Sequence, residues 1–165
     1  MAGILPADDL RRLAEKVMAR CRAKGWTLAT AESCTGGMVA AALTDIAGAS
    51  DVVERGFVTY SNAAKSALLG VAPALIELHG AVSPQTAEAM AAGALAHSPV
   101  QLAVSITGIA GPGGGSKEKP VGLVYFGLAR RGGKTKTEKK IFKGDRAAIR
   151  RAATKRALEL LAAAE

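Results

Sequence analysis

One short stretch constrains the fold of this chain more than any other. Trp26 to Ala31 reads as a strand, and it runs straight into Glu32-Ser33-Cys34-Thr35-Gly36-Gly37, after which Met38 to Ile46 has helical composition. A strand, a tight glycine turn and a helix in immediate succession belong to a layered α/β architecture rather than to a bundle or an all-β sandwich. The pattern continues along the chain. Leu10, Leu13, Val17 and Cys21 recur at helical spacing after Pro6-Ala-Asp-Asp, giving an opening amphipathic helix that ends near Gly25. Phe57 to Tyr60 reads as a second strand, followed by a helical stretch from Ala63 to Leu69. Ser83-Pro84 is an N-cap with proline in the first turn, and starts an alanine-rich helix to about His97. Leu102 to Thr107 is a third strand. Val121 to Ala129 and Thr135 to Phe142 form a hairpin around Arg131-Gly132-Gly133, and Asp145 caps a final helix to about Ala164. The expected fold is a single three-layer α/β domain over residues 1–165: a mixed, mostly buried sheet with helices on both faces. No internal repeat or long linker divides it.

Composition agrees with one ordinary globular core, since 49% of the 165 residues are hydrophobic and 22% charged. Aromatics are only 4%, so alanine and the branched aliphatics must fill that core. The formal net charge of +8 attracts anions, whether nucleic acid, acidic lipid or a phosphorylated metabolite, and does not choose among them. Much of the excess sits between Arg130 and Lys143 and in the helix after it. Two cysteines, Cys21 and Cys34, make no disulfide framework. The N-terminal stretch lacks the basic and apolar regions of a signal peptide, and no apolar run approaches a membrane span. The expected location is the cytoplasm, with no membrane association.

Ser33 stands where a strand meets glycines and a helix, a place where backbone N–H groups converge and can hold an oxyanion or a phosphate. The plain alternative is a helix cap, because capping serines far outnumber catalytic ones. A serine nucleophile needs a base. His79 and His97 lie near helix ends beside Gly80 and Ser98, where surface or capping roles are the default, and a triad through either stays open. Lysine serves instead if burial or a nearby cation, such as Arg146, disfavours its charge. Lys65 is the candidate: Tyr60 closes a strand and Lys65 falls in the first turns of the succeeding helical stretch, so the two side chains can meet at one rim of the sheet. An arbitrary lysine is otherwise a solvated one. Cys34, a thiol at a helix start, is the natural rival nucleophile, or else a small buried hydrophobe.

The loop from Thr107 to Lys117 could cradle a phosphate, yet it fits neither familiar fingerprint. The Walker pattern needs Gly-Lys-Ser/Thr, and the dinucleotide pattern needs a helix where Val121 begins a strand. Its first part, Thr107 to Gly111, leaves the strand directly and is the stronger candidate. Gly144-Asp145-Arg146 adds a guanidinium for an anion, or a plain cap with a solvated arginine. No cysteine or histidine cluster has metal-ligand spacing, and isolated acids such as Asp45, Asp51 and Glu54 make no legible metal site, so no metal is expected. Basic residues without interleaved aromatics make nucleic acid an unfavoured partner, and the late lysines are more simply a solvated edge.

Taken together, Glu32-Ser33-Cys-Thr-Gly-Gly37, Arg55-Gly-Phe-Val-Thr-Tyr60-Ser-Asn-Ala-Ala-Lys65, His79-Gly-Ala-Val-Ser83, Ser105-Ile-Thr-Gly-Ile-Ala-Gly-Pro112 and Gly144-Asp-Arg146 resemble, in this order, the CinA C-terminal domain family. That family includes the nicotinamide-nucleotide amidohydrolases, and the resemblance runs from about Leu10 to Leu161. It implies conversion of nicotinamide mononucleotide to nicotinate mononucleotide and ammonia, without a cofactor, on a phosphorylated nucleotide. It implies Ser33 as nucleophile, Lys65 as base and Tyr60 as a hydroxyl that bridges or orients. Thr35, Gly36 and Gly37 would supply oxyanion N–H groups. Asn62, Thr107, Gly108, Ile109, Gly111 and Arg146 are implied as substrate contacts. Many family members carry this domain behind a molybdopterin-binding-like domain, and the expectation here is the stand-alone form, self-associating as members commonly do. The competing expectation is a non-catalytic module of the same family, kept for protein or nucleic-acid partners in competence or recombination.

Overall fold

The computed structural model describes residues 8–165, so the expected helix start at Pro6 and most of the stretch read for a signal peptide lie outside the described residues. Helices α1 (Asp8–Lys24), α2 (Met38–Thr44), α3 (Asn62–Leu69), α4 (Pro73–His79), α5 (Pro84–Ala96) and α6 (Arg146–Ala162) surround strands β1 (Leu28–Glu32), β2 (Val53–Val58), β3 (Leu102–Gly108), β4 (Leu123–Arg130) and β5 (Lys136–Ile141). The strands form one five-stranded sheet in the order β2-β1-β3-β4-β5. β1 runs parallel to both β2 and β3, while β3–β4 and β4–β5 are antiparallel. The mixed sheet and its covering layers match the expected class.

Alternation along the central strands divides the core in two. Leu28, Leu102, Val104, Ile106, Val124 and Phe126 pack with α1, α2 and α6 on one face, and Ala31 and Ala103 pack with α3, α4 and α5 on the other. The second face is built from small residues, and α5 lies close against it. The Ser105 hydroxyl donates to the Ala87 carbonyl at 2.6 Å, and a Cβ at Gly127 would come within 2.5 Å of that same oxygen. Burial is confined to β1, β3 and β4; the edge strands β2 and β5 are largely exposed. Two elements differ from the sequence reading. β2 ends at Val58 and begins at Val53, because Glu54, Arg55 and Gly56 pair as an edge strand without any apolar alternation. Helix α4, with Pro73 in its first turn, occupies a stretch assigned to no element.

This topology decides where chemistry can sit. The chain leaves β1 towards β2 on one side and has β3 on the other, which makes the carboxyl end of β1 a point where strand order switches. Glu32 pairs with Val58 and with Ile106, so the loops after β1, β2 and β3 emerge side by side. β5 runs in the same direction as β3, and its end therefore delivers the start of α6 to that same rim.

Candidate active site

The turn after β1 is anchored from several sides. The Ser33 N–H donates to the Ile106 carbonyl at 2.9 Å, tying the first residue beyond β1 to β3. Gly36 and Gly37 take positive φ angles, 59° and 103°, which lets the chain reverse into α2. The cap of α2 is neither serine nor threonine. Gly37, at the N-cap, offers no side chain, and the fully buried Glu32 carboxylate instead accepts from the Val39 and Ala40 N–H groups at 2.9 and 3.0 Å and from the Thr35 hydroxyl at 2.7 Å. The segment does cap α2, but through Glu32 and not through Ser33 or Thr35. With Glu32 holding the helix start, the Ser33 hydroxyl is left for something else.

That something is Lys65. Its Nζ lies 3.0 Å from Ser33 Oγ and 2.9 Å from the Thr59 carbonyl. Ser61 caps α3 by accepting from the Ala64 N–H, and this sets the helix so that Lys65 points inward, 1% exposed. Burial drives the lysine below its usual value, because an ammonium ion without a carboxylate partner is poorly solvated there. Only a Cys34 thiolate would oppose this, and burial pushes that thiol up to about 12, so it stays protonated. Arg146 lends none of the help expected of a neighbouring cation; desolvation alone accounts for the direction. The same burial makes Cys34 a poor nucleophile beside Ser33.

Ser33 opens into a cavity of about 290 Å³. Cys34, Tyr60, Asn62 and Lys65 line it together with Thr107, Gly108, Ile109, Gly111 and Arg146. Thr35, Gly36 and Gly37 do not line it. The Thr35 hydroxyl is engaged by Glu32, and the Gly36 N–H donates to the Ser33 carbonyl at 3.0 Å. Neither histidine lines the cavity; His97 Nδ1 sits 2.8 Å from the Gly93 carbonyl, at the end of its own helix. A larger groove of about 750 Å³ between α3 and α4 shares Asn62 with the site, but neither Ser33 nor Lys65 reaches it.

Tyr60 stands apart from the expected relay. It is 60% exposed, and its hydroxyl accepts from Arg146 Nη2 at 2.8 Å while Lys65 reaches Ser33 directly. Arg146 Nη1 donates to the Gly111 carbonyl at 2.8 Å, so this guanidinium links Tyr60 to the glycine loop and retains further N–H donors for a ligand. The loop is only partly free. The Thr107 hydroxyl donates to the Ala81 carbonyl at 2.7 Å and the Ile109 N–H to the Leu123 carbonyl at 2.9 Å. Gly108 passes so near β4 that a Cβ would meet Val124 at 2.7 Å. Sequence reasoning missed Arg150, whose side chain reaches the turn after Ser33, and it did not see Glu32 as the cap. No group of three His, Cys, Asp or Glu among the described residues could hold a metal ion, and no described helix is long and apolar enough to cross a membrane.

The arrangement is a serine hydroxyl beside a desolvated amine in a small cavity of mixed polar and apolar lining, which suits acyl transfer from an amide or ester. Comparison with known proteins points the same way. The family model for the CinA C-terminal domain matches residues 10–164. The chain is 54% identical over 141 residues to the nicotinamide-nucleotide amidohydrolase PncC of Enterobacter agglomerans, covering 86% of each chain. It is 52% identical over 154 residues to the protein of that name from Escherichia coli K12, covering 93% of each. Among solved structures, the competence/damage inducible protein CihA from Agrobacterium tumefaciens superposes with a TM-score of 0.92 at 48% identity, over 96% of both chains.

Proposed function

The chain belongs to the CinA C-terminal domain family, and we propose that it is an amidohydrolase converting nicotinamide mononucleotide to nicotinate mononucleotide and ammonia. The observation that carries the reading is the 3.0 Å contact between Lys65 Nζ and Ser33 Oγ in a setting where burial disfavours the charged lysine. Neutral Lys65 accepts the Ser33 proton as Oγ bonds to the carboxamide carbon. The Cys34 N–H donates to no protein acceptor among the described residues, and it is the oxyanion donor this proposal adopts in place of the engaged Gly36 N–H. The Lys65 ammonium returns its proton to the amide nitrogen as the tetrahedral intermediate collapses, so the C–N bond breaks with release of ammonia. Water, deprotonated by the same amine, then releases the acid and restores Ser33.

The phosphate is assigned to Arg146 and the Ala110–Gly111 segment, where a guanidinium and backbone N–H groups with no backbone acceptor among the described residues line the same cavity. This makes the protein a binder of a phosphorylated nucleotide. A substrate so charged does not cross a bilayer unaided, which supports a cytoplasmic site of action. Self-association completes the proposal and is read by light scattering on the purified chain. The decisive measurement is ammonia release across a panel of carboxamide nucleotides and nucleosides. Nicotinamide mononucleotide should be turned over best, and absence of release from every carboxamide would remove the proposal.

A further inference from the structure

Helix α6 carries four arginines with two different fates. Arg151 pairs with Asp9 at 2.6 Å, and Arg156 pairs with Glu138 and Glu159 at 2.7 and 2.8 Å. Arg150, one turn beyond Arg146 on the helix, meets no carboxylate among the described residues. Its Nε donates to the Cys34 carbonyl at 3.0 Å and its Nη2 to the Thr35 carbonyl at 3.2 Å, the carbonyls of the Cys34–Thr35 and Thr35–Gly36 peptide units. The turn is shaped to receive it. A Cβ built at Gly36 would stand 3.3 Å from Arg150 Nη2, so the missing side chain leaves room for the guanidinium to lie against the backbone. Glu32 holds the same turn by accepting from the Thr35 hydroxyl at 2.7 Å.

We propose that Arg150 is a positioning residue for the nucleophile: it fixes the Cys34–Thr35 and Thr35–Gly36 peptide planes, and through the turn they form the aim of the Ser33 hydroxyl at Lys65. A peptide unit is planar, so holding a carbonyl on one side sets the N–H of the next residue on the other. The fork of the guanidinium can hold two carbonyls at once, which a point-like ammonium cannot. The Thr35–Gly36 unit so held carries the Gly36 N–H that donates to the Ser33 carbonyl at 3.0 Å, and that carbonyl shares its peptide plane with the Cys34 N–H. An ion pair of the kind made by Arg151 or Arg156 would serve a purely structural latch as well. The unneutralised cation instead sits on the one turn where small displacements matter to the chemistry.

The proposal rests on Ser33 being the nucleophile, and the test separates the two. In Arg150→Met, kcat on nicotinamide mononucleotide should fall about a hundredfold, as expected for a displaced reacting group. KM should stay within about twofold, since no substrate contact is removed. Arg150→Lys should lose about tenfold in kcat, because it satisfies one carbonyl rather than two. Added ethylguanidinium should restore part of the kcat of Arg150→Ala, and ethylammonium should not. A kcat for Arg150→Met equal to the parent's overturns the proposal, as does a loss confined to KM or one that guanidinium leaves untouched. Should the methionine and alanine variants fail to fold, Arg150→Lys at the parental kcat overturns it alone. Ser33→Ala is assayed alongside: an active variant removes the nucleophile and the positioning role together, whereas an inactive one beside a normal Arg150→Met removes only the latter.

Discussion

On the parallel side of the sheet Lys65 is 1% exposed and hydrogen-bonds to Ser33 and the Thr59 carbonyl, while on the antiparallel side Lys136, Lys139 and Lys140 of β5 stand in solvent. The residue type is the same and the covalent chemistry identical. What differs is the surrounding medium: packed helix and strand around one, water around the others. In water an ammonium is stable and its field is screened; in the interior it is poorly solvated and its neutral form becomes accessible. The lysines that make up much of the +8 balance are therefore not the lysine that can act as a base. Net charge is a guide to the ligand's sign and no guide to the chemistry.

The contrast predicts a graded series of effects. The largest belongs to Ser33→Ala, which should lower turnover about a thousandfold or more while leaving the fold and substrate binding intact, as for removal of a covalent nucleophile. Cys34→Ala should retain most activity, because its thiol stays protonated. A dead Cys34→Ala beside an active Ser33→Ala would reverse the assignment, and ammonia-release kinetics on both variants decide it.

Next comes the protonation state of Lys65. Burial lowers its pKa, so protons leave the folded site more readily than they leave a free lysine at 10.5. The base works only when neutral. Hence kcat/KM should rise with pH across an acid limb whose midpoint lies below 10.5, and fall as Lys65 gains a proton. Stability follows the same sign. Between the depressed pKa and 10.5 the unfolded chain binds the extra proton, so this group's contribution to stability falls as pH falls through that window. Lys65→Arg should lose about a thousandfold in kcat, since guanidinium holds its proton at any working pH. An arginine variant with most of its activity would show that Lys65 behaves like the β5 lysines after all.

Much of this arrangement is legible from local signals. Ser83-Pro84 and Asp145 announce their helices, and their side chains do accept from the Thr86 and Ala148 N–H groups. The strand–glycine–helix passage places Ser33 at a strand end. Lys65 is reached through the family pattern together with the shortage of a suitable histidine. Signals fail where residues look alike in sequence and differ only in three dimensions. Arg150 is one of several arginines on a helix, and nothing local distinguishes the one aimed at Cys34 and Thr35 from those paired with Asp9 and Glu138. Glu32 precedes the helix it caps by several residues, outside the usual capping spacing. β2 carries Glu54-Arg55-Gly56 because an exposed edge needs no apolar alternation. The Tyr60 relay has only chain proximity and the family pattern behind it, and the direct Lys65–Ser33 contact leaves no gap for it.

A moderate effect is expected at Arg146. It is exposed, so each of its contacts is screened, yet it stands at the cavity beside Gly111 with donors to spare. Arg146→Ala should raise KM for the mononucleotide about tenfold, equivalent to about 1.4 kcal/mol. The corresponding nucleoside should scarcely change, so the preference for the phosphorylated substrate shrinks. Steady-state kinetics on the pair read this directly. Equal turnover of nucleotide and nucleoside by the parent protein would remove the phosphate site altogether.

The smallest effect should come from the other side of the comparison. Replacing Lys136, Lys139 and Lys140 with Gln lowers the formal net charge from +8 to +5 without touching any residue that lines the cavity. β4 separates β5 from β3, which puts the edge about 10 Å across the sheet from the nearest site strand. At physiological salt the screening length is about 8 Å, so the edge field is attenuated before it reaches the cavity. Turnover efficiency should therefore stay within about twofold of the parent in such buffer, and fall further only at low salt, where long-range steering of an anionic substrate survives. Loss of edge lysines should also make the strand more prone to pairing between molecules, visible as concentration-dependent scattering. If β5 instead serves a polyanion, the parent should bind duplex DNA with a steep salt dependence that the triple variant loses, and catalysis should be indifferent. A tenfold drop in kcat/KM at physiological salt would break the comparison outright: exposed lysines on the antiparallel edge would then share in the chemistry that burial was argued to reserve for Lys65.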